Sequence, residues 1–201
     1  MLFFFEVFGV VVGAISGVLA ADGKRVDLFG VIVLALVTAL GGGTIRDMAL
    51  SVPVFWIGAP LFVLTATGTA VLMFFIAHGW VMPGKLLVIA DALVLASFTI
   101  MGTTKALDFG TGNVNAVVLG VITGVAGGIL RDVLVGEIPM VFRKEIYLYA
   151  TAAFFGATVF VLLRNWMPVA HPAPGLIGLA LVLTLRLLGI QWKISLPVFK
   201  A

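Results

Sequence analysis

One short motif occurs twice and combines adjacent glycines with a basic and an acidic residue inside apolar segments. We find it at Gly42-Gly43-x-x-Arg46-Asp47 and again at Gly127-Gly128-x-x-Arg131-Asp132. If these segments cross a membrane, their charges are costly unless paired or hydrated, so they predict an ion pathway or a binding site for a charged substrate. The structural alternative is that each arginine reaches the nearer membrane interface.

Whether each arginine pairs with the aspartate next to it is open from the sequence. Adjacent residues on a helix point about 100° apart, so pairing across the two motifs or with backbone carbonyls is as reasonable as neighbour pairing.

The glycines of the motif predict a disturbance of the helices that carry them. Each glycine lowers helix stability by roughly 1 kcal/mol relative to alanine, so adjacent glycines at membrane depth favour a kink or unwound backbone. Close helix packing is the alternative wherever glycines follow a small-x-x-x-small spacing. We expect packing at Gly9, Gly13, Gly120 and Gly124, and a functional kink at Gly42, Gly43, Gly127 and Gly128.

Two carboxylates, Glu6 and Asp91, form another pair at the same sequence offset as the motif. Each lies near the start of an apolar segment, where the helix dipole stabilises a negative charge. The functional interpretation is a vestibule carboxylate that attracts cations. Both interpretations stay open.

The composition places these residues in an integral membrane protein. Of the 201 residues, 62% are hydrophobic and 10% are charged, and the mean hydropathy is +1.26. Soluble domains are about half apolar and about a quarter charged. The net charge of +3 does not indicate nucleic-acid binding, because basic residues stand singly or in pairs at the ends of apolar runs. With no cysteine, and with His78 and His171 in different connections, we predict neither a metal site nor a cofactor.

Seven apolar segments approach the length of about 20 residues that a membrane helix needs. They are Leu2–Ala21, Leu28–Leu50, Pro60–Ala77, Leu86–Met101, Val114–Val135, Ile146–Leu163 and Gly175–Leu188. Most connecting lysines and arginines fall on the side reached after the first segment. By the positive-inside rule, this predicts an external N-terminus and a cytoplasmic C-terminus. Cleavage of the first segment as a signal peptide is not favoured, because Glu6 stands where a positive charge is needed.

An internal repeat organises these segments. The offset that superposes the two motifs also aligns Glu6 with Asp91 and Thr38 with Thr123, and one additional residue aligns Pro53 with Pro139. Three segments per repeat is an odd number, so the second repeat is inverted, as in transport proteins. We predict an all-α integral membrane protein with seven transmembrane helices. It comprises a three-helix repeat over 1–84, an inverted repeat over 85–165, and a seventh helix with a cytoplasmic tail over 166–201.

At Gly41–Asp47 and Gly127–Asp132 the chain resembles the prokaryotic relatives of the trimeric intracellular cation (TRIC) channels, whose bacterial repeat is also called a glycine transporter domain. The resemblance covers nearly the whole chain. It implies a homotrimer with a pore in each protomer, between kinked second and fifth helices flanked by the first and fourth. If the family's functional positions are carried over to this sequence, the kink glycines are Gly42, Gly43, Gly127 and Gly128, and the pore arginines are Arg46 and Arg131. The animal members have a Lys-Glu-Val motif tied to voltage and lipid response. Lys144-Glu145-Ile146 is similar to it in letters but lies in the fifth-to-sixth connection, so lipid regulation is not carried over.

Two functions use the same residues. The first is a potassium-permeable channel, with sodium as a further ion, in which freed carbonyls and helix ends replace part of the hydration shell. The arginines would block the path until voltage or an aspartate displaces them. The second is a secondary transporter of glycine, in which the arginines hold the carboxylate and Asp91 or Glu6 holds the ammonium group. A membrane enzyme is weaker, because no catalytic set is evident. We predict a channel in the inner membrane of a prokaryote, with no enzymatic activity.

Overall fold

The computed structural model describes residues 2–77, 84–143, 148–167 and 172–194. These ranges contain seven α-helices and one short 3-10 helix, Met140–Phe142. The α-helices are α1 (Leu2–Ala20), α2 (Leu28–Ala49), α3 (Leu61–Ala77), α4 (Lys85–Asp108), α5 (Asn113–Leu134), α6 (Tyr149–Trp166) and α7 (Ala173–Trp192). Residues 168–171 of the connection between α6 and α7, which include His171, lie outside the described ranges, as do His78 and Lys144-Glu145-Ile146.

Two helices are longer than their apolar segments predict. Helix α4 ends at Asp108 rather than near Met101. In its polar end the hydroxyls of Thr103 and Thr104 donate to main-chain oxygens one turn earlier, at 2.8 and 2.7 Å, so neither hydroxyl needs a partner from another helix. Helix α7 continues beyond Leu188 to Trp192.

The helices form an all-α membrane protein of seven transmembrane helices. Five of the described helices, α1, α2, α4, α5 and α7, are long and apolar enough to cross a bilayer by length and composition. Helix α3 is a shorter apolar helix of 17 residues. We call the side where α1, α3, α5 and α7 begin the N-terminal face, and the other side the opposite face. Two inverted three-helix repeats, α1–α3 and α4–α6, are followed by α7.

Small residues set the packing of the central helices. Helix α2 packs against α5, α1 packs against α4, and α7 packs against α4 and α6. A Cβ atom at Gly13 would lie 2.9 Å from the Cα of Ala39, and one at Gly124 would crowd the Thr99 hydroxyl of α4. Gly9 and Gly120 are similarly closed in by α4. Lipid supplies no hydrophobic force between helices, so such close contacts carry the association. They confirm the packing role expected of these glycines.

The two repeats keep one register beyond the ends of α2 and α5. Asp47 Oδ2 accepts a hydrogen bond from the Phe55 amide at 2.9 Å, and Asp132 Oδ2 accepts one from the Met140 amide at 2.7 Å. These pairs share the offset of the motif. The predicted alignment of Pro53 with Pro139, which needs one additional residue, is therefore wrong, and the insertion falls later.

Candidate functional site

The first element of the site is the point where α2 crosses α5. A methyl group at Gly42 would overlap the main-chain oxygen of Thr123, and one at Gly127 would overlap the main-chain oxygen of Thr38. Each threonine hydroxyl donates to the main chain of its own helix at 2.6 Å, so neither projects across the crossing as a donor. The backbones of α2 and α5 therefore touch here in a nearly symmetric way, and each contact requires glycine.

The backbone at these glycines is helical. Helices α2 and α5 run without interruption from Leu28 to Ala49 and from Asn113 to Leu134. The expectation of unwound backbone at the glycine pairs is therefore wrong, and so is the expectation that main-chain carbonyls are freed there. The helix-weakening effect of glycine, roughly 1 kcal/mol per residue, is offset by close packing against the partner backbone. A bend of either helix axis stays a prediction.

The second glycine of each pair makes room for a neighbouring side chain. A methyl group at Gly43 would lie 2.6 Å from the ring of Phe55. One at Gly128 would lie 3.1 Å from the Tyr149 hydroxyl and 3.2 Å from Asp91 Oδ1. Gly128 thus leaves the space in which a group of polar side chains meets.

Arg46, Asp47 and Lys105 form a charged group near the N-terminal face, which we call the N-terminal cluster. Asp47 Oδ1 accepts hydrogen bonds from Arg46 Nε at 2.7 Å and lies 2.8 Å from Lys105 Nζ. Arg46 and Asp47 are buried, whereas the Lys105 side chain is 36% exposed. The Arg46 guanidinium also lies over the Phe55 ring, 5.7 Å from its centroid. Neighbour pairing, one of the alternatives left open by the sequence, is the arrangement found.

Asp91, Arg131, Asp132, Tyr149 and Arg186 form a second charged group, which we call the opposite-face cluster. Arg131 Nε donates to Asp132 Oδ1 at 2.8 Å, and its Nη1 donates to Asp91 Oδ1 at 3.1 Å. The same nitrogen donates to the Ser16 hydroxyl of α1 at 2.6 Å. Because Arg131 is fully buried, it does not reach an interface, and the interface alternative is wrong for this residue.

Arg186 joins the opposite-face cluster from α7. Its guanidinium carbon lies 4.6 Å from the centroid of the Tyr149 ring, and its Nη2 lies 3.8 Å from Asp91 Oδ2. The sequence motifs predict no site role for Arg186 or Lys105. The available signal was a charged residue within or at the end of an apolar segment. Lys105 has an alanine, Ala20, at the equivalent position of the first repeat, and Arg186 lies outside both repeats.

Glu6 and Asp91 have different surroundings despite their equivalent sequence positions. Asp91 is buried in the opposite-face cluster, whereas Glu6 is half-buried and within the electrostatic reach of Arg46 and Lys105. Neither residue lies in the first turn of its helix. Stabilisation by the helix dipole, which fades beyond the first turn, therefore does not explain them.

A cavity of about 270 Å³ opens on the opposite face and is bordered by Asp132. Lys24, Glu137 and Arg143 also line it, and Lys24 Nζ donates to Glu137 Oε1 at 2.5 Å. This ion pair joins a connection of the first repeat to a connection of the second. The hydrogen bond and charge of Lys24, with the charge of Arg143, hold the pKa of Glu137 below its ordinary value. The cavity thus leads from the membrane surface towards the opposite-face cluster.

The chain as a whole is similar to a known family and to solved structures. The family model described as "Glycine transporter" matches residues 3–78 and 88–165. The UPF0126 inner membrane protein YadS of Escherichia coli (strain K12) is 43% identical over 201 residues, covering 99% of this chain and 96% of that protein. The TRIC channel orthologue from Rhodobacter sphaeroides superposes with a TM-score of 0.89 at 38% identity, covering 96% of this chain and 98% of that one. A prokaryotic TRIC channel in 0.5 M KCl superposes with a TM-score of 0.87 at 31% identity, covering 97% and 98%.

Proposed function

The chain belongs to the prokaryotic TRIC channel family, which carries the glycine transporter domain, and from this membership we propose that it is a monovalent cation channel. The structural similarity to prokaryotic TRIC channels over almost the whole chain supports this function. Potassium is the principal ion of the proposal, and sodium is a further one.

The observation that carries the proposal is that each motif arginine is already bound by an aspartate of the chain. Arg46 is held by Asp47, and Arg131 by Asp132 and Asp91. A substrate carboxylate would have to displace these aspartates, which weighs against glycine transport. For a cation the same pairing is favourable. Like charges about 4 Å apart repel by roughly 4 kcal/mol at an effective dielectric near 20, and a bound carboxylate cancels most of that repulsion.

We place the pathway in the four-helix core of α1, α2, α4 and α5. It runs from the N-terminal cluster to the cavity on the opposite face, and Glu6 and Asp91 supply negative charge near its two ends. The crossing at Gly42 and Gly127 is its narrowest point, because the backbones of α2 and α5 touch there. The present conformation is therefore closed at the crossing, and opening requires the two helices to separate. With both helices intact, ions are solvated by water and carboxylates rather than by freed carbonyls.

The remaining features of the proposal concern assembly and orientation. The functional unit is a homotrimer with a pathway in each protomer, embedded in the lipid of a prokaryotic inner membrane. Its repeats span 1–84 and 85–165, followed by 166–201. The N-terminal face is external and the opposite face is cytoplasmic, as the distribution of basic residues predicts.

Purified protein in proteoliposomes tests this function against the transporter. A channel dissipates a potassium gradient without saturation, whereas a transporter takes up labelled glycine, saturates and shows counterflow. We expect potassium flux and no glycine uptake. The matched variants Arg46→Gln and Arg131→Gln should change the potassium flux while glycine uptake stays at the level of empty vesicles. Saturable glycine uptake that both variants abolish, without potassium flux, would overturn the proposal.

A further inference from the structure

The two charged clusters are completed by residues from outside the motif. In the N-terminal cluster one carboxylate, Asp47, faces two cations, Arg46 and Lys105. In the opposite-face cluster the balance is reversed, because Arg131 faces two carboxylates, Asp91 and Asp132. The second repeat therefore contributes an excess negative charge at this site.

Arg186 supplies the missing positive charge from α7, which belongs to neither repeat. It is fully buried, and with it the cluster contains two arginines and two aspartates. An arginine inside a membrane helix is costly, and such residues face protein and mark functional pathways. Because burying this charge costs free energy, we expect Arg186 to have a function that an apolar residue at the same position could not perform.

The residues around Arg186 show that its charge acts on Asp91. Its guanidinium lies against the Tyr149 ring, and the Tyr149 hydroxyl donates to Asp91 Oδ1 at 3.2 Å. On the other side, Arg186 Nη2 lies 3.8 Å from Asp91 Oδ2. Asp91 thus accepts a hydrogen bond from Arg131 at one oxygen and faces the charge of Arg186 at the other, and Tyr149 contacts both Asp91 and Arg186.

Close packing brings α7 near enough for this contact. A methyl group at Gly156 of α6 would overlap the Val182 side chain of α7, and one at Gly178 of α7 would lie 2.7 Å from Ile100 of α4. Glycines on both sides of the interface therefore let α7 approach α4 and α6. The position of Arg186 is set by a tight helix contact rather than by a loop.

Building on the proposed channel function, we infer that Arg186 is a positioning residue that holds Asp91 and neutralises the opposite-face cluster, and thereby limits cation permeation through this half of the pathway. The seventh helix delivers that residue. Replacing Arg186 by glutamine leaves one carboxylate uncompensated beside the pathway. A unit charge acting over about 10 Å at an effective dielectric of 20 to 40 changes local cation occupancy roughly fourfold to sixteenfold.

Planar bilayer recordings of the purified full-length protein in dilute potassium chloride test this inference. We expect Arg186→Gln to raise the potassium conductance several-fold and Asp91→Asn to lower it. The double variant Asp91→Asn/Arg186→Gln restores the charge balance, so it should return towards wild type. Arg186→Lys keeps the charge and should rescue the wild-type conductance, which a purely structural role of the guanidinium would not allow.

Arg164→Gln is the matched control. Arg164 also belongs to a membrane helix, pairs with an aspartate (Asp108, 2.6 Å) and lies over an aromatic ring (Phe160, 5.9 Å). Its partner Asp108 is 53% exposed, so this ion pair lies at the surface and not in the core. We expect Arg164→Gln to conduct as wild type.

Several results would overturn the inference. Arg186→Gln could conduct like wild type, it could shift conductance in the same direction as Asp91→Asn, or Arg186→Lys could be as altered as Arg186→Gln. If Arg186→Gln does not assemble, the test rests on Arg186→Lys and on Asp91→Asn/Arg186→Gln. A potassium conductance of either variant that differs from wild type would then count against the inference. Absence of cation current in the wild-type protein would instead overturn the proposed function.

Discussion

Alanine at the helix crossing is the perturbation whose effect follows most directly from the structure. A methyl group at Gly42 overlaps the main-chain oxygen of Thr123, and one at Gly127 overlaps that of Thr38. Main-chain atoms cannot move aside as a flexible side chain can, so the helices must separate. Overpacking of this kind costs about 1–3 kcal/mol, and the better helix propensity of alanine returns roughly 1 kcal/mol. We expect either substitution to destabilise the protein by up to about 2 kcal/mol.

Gly68→Ala provides the matched control. Gly68 lies in the middle of α3, where an added methyl group meets no atom within 4 Å. This variant gains helix propensity without overlap, so we expect it to be more stable than wild type by up to about 1 kcal/mol.

The assay is thermal unfolding of the purified variants in one detergent. The quantity measured is the fraction of protein that remains assembled at each temperature. For domains of this size each kcal/mol shifts the midpoint by about 2–4 °C. Gly42→Ala and Gly127→Ala should therefore melt below wild type, and Gly68→Ala at or above it. The double variant should lose less than the sum of the single variants, because one methyl group already separates the helices. Gly42→Ala with the stability of Gly68→Ala would refute the tight crossing.

Three further predictions concern charge, pH and topology. In bilayer recordings Arg46→Gln should raise cation conductance, because it removes a positive charge near the pathway. Asp47→Asn should lower the conductance, because it leaves the charge of Arg46 uncompensated. Unchanged conductance in both variants would show that this ion pair lies off the pathway. The ion pair of Lys24 with Glu137 should stabilise the protein above the ordinary glutamate pKa of 4.5 and be lost as the pH falls through the lowered pKa of Glu137; melting curves against pH should lose this acid dependence in Glu137→Gln and keep it if the pair contributes nothing. A topology reporter fused after the C-terminus should read cytoplasmic and one inserted between α6 and α7 should read external, and the reverse pattern would contradict the proposed orientation.

The sequence predicts the repeat well because opposite charges in apolar segments are rare. Shared motifs at one offset define three helices per repeat, and the odd number implies inversion. The role of the glycines was harder to predict, because a glycine pair weakens a helix and also permits close approach. What decides between these effects is the backbone of the facing helix, here Thr123 opposite Gly42, and that contact is not visible in the local sequence.

The composition of the clusters could be predicted only in part. The repeated motif predicts Arg131 and Asp132 as site residues, and the pair of equivalent carboxylates, Glu6 and Asp91, predicts Asp91. Arg186 comes from α7, outside the repeat, and Lys105 comes from the polar end of a helix that extends beyond its apolar segment. A repeat in the sequence predicts only residues that occur in both copies. Arg186 and Lys105 have no such counterpart, so only the packing of helices distant in sequence shows that they belong to the clusters.

The reversal potential of the purified protein in a tenfold gradient of potassium chloride tests the central claim most directly. A cation-selective pathway drives the reversal potential towards the potassium equilibrium value, about 59 mV for one charge and a tenfold ratio. We predict a value close to that limit with the sign of a cation conductance. A reversal potential near zero, one of the opposite sign, or no current from a folded, assembled protein would contradict the account.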